Sequence, residues 1–235
     1  EENEVIIELS KILSNFIDCI GGEKYIKDLF NLYEAILSVD EPTVRLETIK
    51  SLNETIKQIK NLKDIENDLM EMIRNLNIGD NINQKLGSLN IIIFMFKDLS
   101  ETNKNNVLDI LNKFAVDENI SIKKELLNEL PKISVLLSID YIKKIISTMI
   151  KDKNDTVKVE LINFIVSLGE HKKIILLLDY IYELIQKLAE DQNWRTRMTL
   201  VEKLCDILKF PNINNKFKQI CINILVHIMG DNEPE

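Results

Sequence analysis

Acidic and basic side chains recur in this sequence at a fixed offset. In Asp191-Gln192-Asn193-Trp194-Arg195-Thr196-Arg197 an acid stands six residues before an arginine. The same offset separates Asp117 from Lys123 and Asp152 from Lys158; counted from Val39 and Gly79 it reaches Arg45 and Lys85, with acids one residue further in at Asp40 and Asp80. A carboxylate at the start of a helix can accept from the unpaired backbone amides there and is favoured by the helix dipole. If such joints are stacked, each cation also falls near the acid of the adjoining joint. This chemistry is that of an ionic ladder, built from Arg45, Lys85, Asp117, Asp152, Lys158, Asp191 and Arg197, with Lys123 at the matching offset.

The residues between acid and base point off the tip of each joint and cannot serve a core. They are Glu41, Pro42 and Thr43; Asn81, Ile82 and Asn83; Glu118, Asn119 and Ile120; Lys153, Asn154 and Asp155; Gln192, Asn193 and Trp194. Trp194 is the single tryptophan. An exposed tryptophan buries a large area at low entropic cost and is a common interface anchor; packing against the next joint is the other reading. The expected partner-binding strip comprises Asp40, Glu41, Asp80, Asn81, Glu118, Lys123, Lys124, Asn154, Asp155, Asn193 and Trp194.

Reaction chemistry has no such pattern behind it. The sequence lacks a glycine-rich phosphate loop, a GxSxG elbow, an HExxH pair and a paired-cysteine motif. His171 and His227 stand in no metal-ligand spacing and read as surface or helix-end residues. No enzyme, cofactor or metal is expected.

The elements that carry the joints must be helices. Taking Val39, Gly79, Asp117, Asp152, Asp191 and Asp231 as anchors gives spacings of 40, 38, 35, 39 and 40 residues by subtraction, the period of a helical solenoid. In the helix that follows each joint, counted from its first core position, offsets of 0, 4, 5, 8 and 11 share one helical face. Val157, Leu161, Ile162, Ile165 and Leu168 fill that face, as do Ile122, Leu126, Leu127, Leu130 and Ile133. Thr48 and Thr55, and Gln84 and Ser88, interrupt it in the two degenerate repeats.

The periodicity predicts second helices over 1–18, 41–57, 81–98, 119–136, 154–168 and 193–208, and first helices over 22–37, 62–77, 100–114, 139–150, 173–189 and 212–229. The expected fold is an all-α, α-α superhelix over 1–235. It would hold five complete repeats, about 22–57, 62–98, 100–136, 139–168 and 173–208, flanked by half-repeats 1–18 and 212–235. Pro131 should kink its helix or end it early. Neither end reads as a polar cap: Val5, Leu9, Leu13 and Phe16, and Ile220, Ile224 and Ile228, lack partner helices, so an excerpt of a longer array is expected.

Composition excludes other classes. A net charge of -8 disfavours nucleic acid, whose binding rests on clustered lysine and arginine. The longest apolar runs, 91–96 and 174–178, are far shorter than the roughly 20 residues of a membrane span. Cys19, Cys205 and Cys221, an odd set without CxxC spacing, read as buried thiols in a reducing compartment. A cytoplasmic location is expected, with the nucleus also open.

Two stretches carry a family resemblance. Residues 1–25, followed by Val39-Asp40-Glu41-Pro42-Thr43-Val44-Arg45, resemble early HEAT repeats of the scaffold (A) subunit of protein phosphatase 2A. Ala189-Glu190-Asp191-Gln192-Asn193-Trp194-Arg195-Thr196-Arg197 is similar to that family's recurring AED-x-x-WR-x-R turn. With Ala115 to Lys124 and Asp152 to Lys158 in register, the resemblance runs from the second helix of repeat two to the first helix of repeat eight.

It implies a non-catalytic scaffold whose turn ridge holds regulatory (B) subunits, the catalytic subunit binding repeats absent from this chain. By position, the family's acidic pair of repeat three falls on Asp40 and Glu41, and its acid and basic pair of repeat five on Glu118, Lys123 and Lys124. The chain departs from the pattern at Asn81, where the family has tryptophan, and at Ile120, where it has proline. Lys123-Lys124 replaces an arginine pair and loses the planar fork of guanidinium. The rival expectation is a transport adaptor that binds peptide or cargo on the concave face of its second helices.

Overall fold

A computed structural model describes residues 2–169 and 172–230; His171, Asp231 and Pro234 lie outside them. The α-helices are α1 Glu2–Ile12, α2 Phe16–Cys19, α3 Ile26–Leu37, α4 Pro42–Gln58, α5 Leu62–Asn75, α6 Ile82–Met95, α7 Glu101–Ala115, α8 Ile120–Glu129, α9 Ile139–Met149, α10 Asp155–Leu168, α11 Leu178–Ala189, α12 Trp194–Ile207 and α13 Asn215–Met229. The described residues contain no strand. Four of the helical stretches read from the sequence are mixed, with 3-10 turns at Leu13–Asn15, Glu23–Tyr25, Leu130–Leu136 and Lys172–Leu177. Pro131 accounts for one: α8 ends at Glu129, and the tighter helix takes over where the proline cannot donate to the ladder.

The chain forms two compact units, 1–111 and 112–235, the division falling within α7. In unit 1 the second helices α1, α4 and α6 pack side by side, with α3 and α5 layered on them. In unit 2, α8, α10 and α12 form the equivalent row, and α9, α11 and α13 supply the other layer. Each unit is thus a stack of helix pairs, the arrangement of an all-α solenoid in which a repeat buries its face only against its neighbours.

The periodic face is the core face. Val157, Leu161, Ile162 and Ile165 are fully buried, as are Leu126 and Leu130. Each such side chain contributes about 1.5–3 kcal/mol relative to exposure. In unit 1 three of the four interruptions, Thr48, Thr55 and Ser88, are fully buried on the core face, and Gln84 is half-buried. Their hydroxyls are partnered: Thr48 Oγ1 lies 2.6 Å from the Val44 carbonyl and 3.0 Å from Ser10 Oγ. Tyr33 Oη lies 2.7 Å from Thr55 Oγ1 and 3.2 Å from Ser51 Oγ, which accepts from the Ser14 amide at 3.0 Å. Hydrogen bonding makes these polar groups tolerable in a core position.

Two sequence expectations are corrected. Cys19 and Cys205 are exposed, because both fall off the core face; only Cys221 is buried, and burial pushes its thiol up to about 11. At the outermost helices, Val5 and Phe16 are exposed but Leu13 is buried. Ile224 is likewise buried, because α13 packs on α11 and α12 through Phe217, Cys221 and Ile224. Its exposed apolar side chains are instead Ile222, Leu225, Val226 and Met229.

Candidate docking ridge

Each joint of unit 2 is built the same way from its residues. Asn119, Asn154 and Asn193 cap α8, α10 and α12, their side-chain oxygens accepting from the amides of Ser121 at 2.8 Å, Thr156 at 2.9 Å and Arg195 at 2.8 Å. The anchor acids, expected from the sequence to be the caps, sit one step further back. Asp117, Asp152 and Asp191 accept the amides of those same asparagines at 2.8, 2.8 and 2.9 Å. This Asx turn lies ahead of the helix, so the asparagine is the residue in capping geometry.

The second carboxylate oxygen is then free to cross to the preceding joint. Lys123 Nζ donates to Asp152 Oδ2 and Lys158 Nζ to Asp191 Oδ2, each at 2.6 Å. All four side chains are less than one-fifth exposed. Burial opposes ionisation of Asp152, but hydrogen bonds from Lys123 and the Asn154 amide override it and hold its carboxyl below the ordinary aspartate range. Arg197 turns back on its own joint, donating to the carbonyls of Asp191 at 2.7 Å and Gln192 at 3.1 Å. A second contact links neighbouring tips: Asn193 Nδ2 donates to Asp155 Oδ2 at 3.2 Å, and Arg195 lies 3.6 Å from the same oxygen.

Unit 1 makes the connection differently. Arg45 donates to Asn83 Oδ1, and Asn83 donates in turn to Asp40 Oδ1 at 2.7 Å, so a buried amide bridges cation and acid. Glu41 caps α4 by accepting the Thr43 amide at 3.2 Å, with Pro42 in the first turn, where its missing donor is harmless. Asn81 caps α6 by accepting from the Gln84 amide at 3.1 Å and donates to the Ser38 carbonyl at 3.0 Å. Asp80 is exposed, its carboxylate 3.7 Å from Lys85.

The expected strip is therefore sorted by geometry. Asp40, Asp80 and Glu118 are exposed, and Glu41, Lys124, Asp155 and Trp194 are half-buried. Lys123 belongs to the ladder, since its ammonium is committed to Asp152. Asn81, Asn154 and Asn193 are helix caps before they are anything else. Trp194 leans toward α10 with the Arg195 guanidinium 5.6 Å from its ring centre. The sequence reading missed Asn83 as a bridge and Asn119 as a cap. The thrice-repeated Asp-x-Asn of 117–119, 152–154 and 191–193 was the signal for the caps.

Among the described residues no group of three or more His, Cys, Asp or Glu side chains is placed to hold a metal, and no helix is long and apolar enough to cross a membrane. What the geometry offers in each unit is a set of rigid, capped turns with charged tips.

Two curated proteins resemble this chain in sequence. The chain is 25% identical over 181 residues to the regulatory A subunit of protein phosphatase PP2A from Saccharomyces cerevisiae, covering 72% of this chain and 28% of that protein. In sequence the chain is similar to phosphatase PP2A regulatory subunits. The 65 kDa PP2A regulatory subunit of Drosophila melanogaster matches at 23% identity over 142 residues, 60% of this chain and 24% of that protein. This chain thus corresponds to about a quarter of the length of these relatives. No family model matches it. Similarity to the A subunits agrees with the all-α HEAT-repeat architecture, and the names of both relatives are those of regulatory, not catalytic, subunits.

Proposed function

We propose that this chain is part of a non-catalytic scaffold of a phosphatase 2A-type holoenzyme and that its turns receive a regulatory (B) subunit. Similarity to two regulatory subunits of phosphatase PP2A carries the reading. The turn geometry supports it: a docking surface needs side chains held in place before the partner arrives, because ordering them on binding subtracts from affinity. Caps and ladder fix the bases of the turns, while Asp40, Asp80, Glu118, Lys153 and Gln192 stay exposed at their tips. The catalytic subunit would bind repeats beyond this chain, and the assembly would work in the cytoplasm and nucleus.

Affinity capture with the complete protein from its own cells tests the proposal. Co-purification of regulatory and catalytic phosphatase subunits is expected. A capture containing neither contradicts it. Charge reversal at Asp40 and Glu41, with the helical signal unchanged, should weaken recovery of the regulatory subunit several-fold.

A further inference from the structure

Beside the turn tips of unit 2, the exposed sides of two second helices enclose a groove. It lies between α10 and α12, measures about 340 Å³, and is lined by Asp155, Val159, Trp194, Arg195, Met198 and Glu202 among others. Met198 is 47% exposed although Thr196 and Leu200, two residues to either side, are buried. Its thioether, the Trp194 ring and the Val159 side chain make an apolar lining on a helix face that the core does not use. Methionine and tryptophan together are suited to gripping an apolar side chain, the first by adaptability and the second by area.

The charges at the groove select among occupants. Arg195 is 3.6 Å from Asp155 and its guanidinium lies 5.6 Å from the Trp194 ring centre, so its charge is balanced locally. Glu202 is exposed and has no ion-pair partner among the described residues, which leaves the groove with a net negative charge. An anionic ligand is repelled. A free small molecule is poorly served as well, because ligand sites bury most of their ligand and this groove is open along one side. An extended protein segment meets both conditions, placing one side chain inside and its neighbours along the rim.

We propose that the groove between α10 and α12 receives one aliphatic or aromatic side chain from an extended segment of the docked protein, with an adjacent lysine or arginine pairing with Glu202. This deepens the docking reading and rests on it in assigning the segment to the phosphatase regulatory subunit. The groove then supplies register: the turn tips set where the partner lies, and the inserted side chain fixes which segment lies there.

The test uses the complete scaffold chain with a photoreactive amino acid at position 198 or, separately, at position 192 on the turn tip; the probe is purified phosphatase regulatory subunit. Cross-links from 198 to an apolar residue within two positions of a lysine or arginine are expected. Cross-links from 192 without any from 198, or from 198 into an acidic segment or a second copy of the scaffold, overturn the groove assignment and leave the docking reading standing. Absence of adducts from both positions overturns both. In parallel, Met198→Glu should weaken binding of the same partner about tenfold and Met198→Leu should preserve it, the difference expected of an apolar anchor site. Unchanged binding by Met198→Glu, with the helical signal intact, contradicts the proposal.

Discussion

The two units solve one problem with different side chains. Unit 2 fills its core face mainly with leucine, isoleucine and valine, Thr196 being the buried exception in α12, and joins its turns by direct Lys123–Asp152 and Lys158–Asp191 ion pairs. Unit 1 accepts Ser10, Thr48, Ser51 and Thr55 into the same face and joins its turns through the Arg45, Asn83 and Asp40 chain. The repeat therefore constrains position more tightly than residue type. The hydroxyls of unit 1 stand where aliphatic groups stand elsewhere and are held by a carbonyl or another hydroxyl, whereas the fully buried Thr196 hydroxyl of unit 2 has no partner among the described residues.

This contrast predicts unequal costs of truncation. Leu161→Ala in α10 removes a fully buried side chain from the apolar core and should cost about 3 kcal/mol in chemical denaturation. Thr48→Ala, at the equivalent offset in α4, should cost about half that, because it removes one methyl and a hydroxyl whose partners are themselves hydrogen-bonded. Equal losses would mean that the hydroxyl core packs like the apolar one.

Next in size is the ladder. Asp191→Ala leaves the Lys158 ammonium less than one-fifth exposed without its partner and frees the Asn193 amide, a loss of about 2 kcal/mol. In unit 1, Asp80→Ala should leave the denaturation midpoint unchanged, since that carboxylate is exposed. A midpoint shift for Asp80→Ala as large as that for Asp191→Ala would erase the distinction between the two kinds of joint.

A smaller effect depends on pH. Glu66 is buried and its Oε1 accepts from the Ser100 amide and hydroxyl, each at 2.7 Å, and from Asn103 at 2.9 Å, tying α5 to the start of α7. Burial pushes its carboxyl up, but these hydrogen bonds from Asn103 and Ser100 outweigh it and leave the group below its ordinary value of 4.5. A depressed value in the folded state means that the stabilisation is fully present above pH 4.5 and is lost as the pH falls through the folded value. Acid titration of stability should therefore be shallower in Glu66→Gln than in the parent chain, measured by thermal melts below about pH 5. Asn119→Ala should cost about 1 kcal/mol in chemical denaturation, for loss of one cap.

Much of this architecture was legible in the sequence, because helix period and core phase are local properties of a repeat. The offsets that gather Val157, Leu161 and Ile162 also place Thr48 and Thr55 inside, even though their polarity argues for the surface. What could not be read was the choice between equivalent hydrogen-bonding groups. In Asp152-Lys153-Asn154 either the acid or the amide side chain can cap a helix; the Asx turn between them decides for the asparagine. Lys123 suited ladder and docking strip alike until its ammonium met Asp152, 29 residues away, and Asn83 looked like a tip residue because its role as a bridge exists only once α4 and α6 are side by side. Trp194 likewise lines a groove shared with α10, a placement that exists only once α10 and α12 are side by side.

Hydrogen exchange on the complete scaffold, with and without purified phosphatase regulatory subunit, tests the central claim most directly. Added protection is expected in the turns 39–43, 79–83, 117–120, 152–155 and 191–194 and along the exposed face of α12, with α3, α5, α9 and α11 unchanged. Protection on those first helices with the turns unaffected would contradict it.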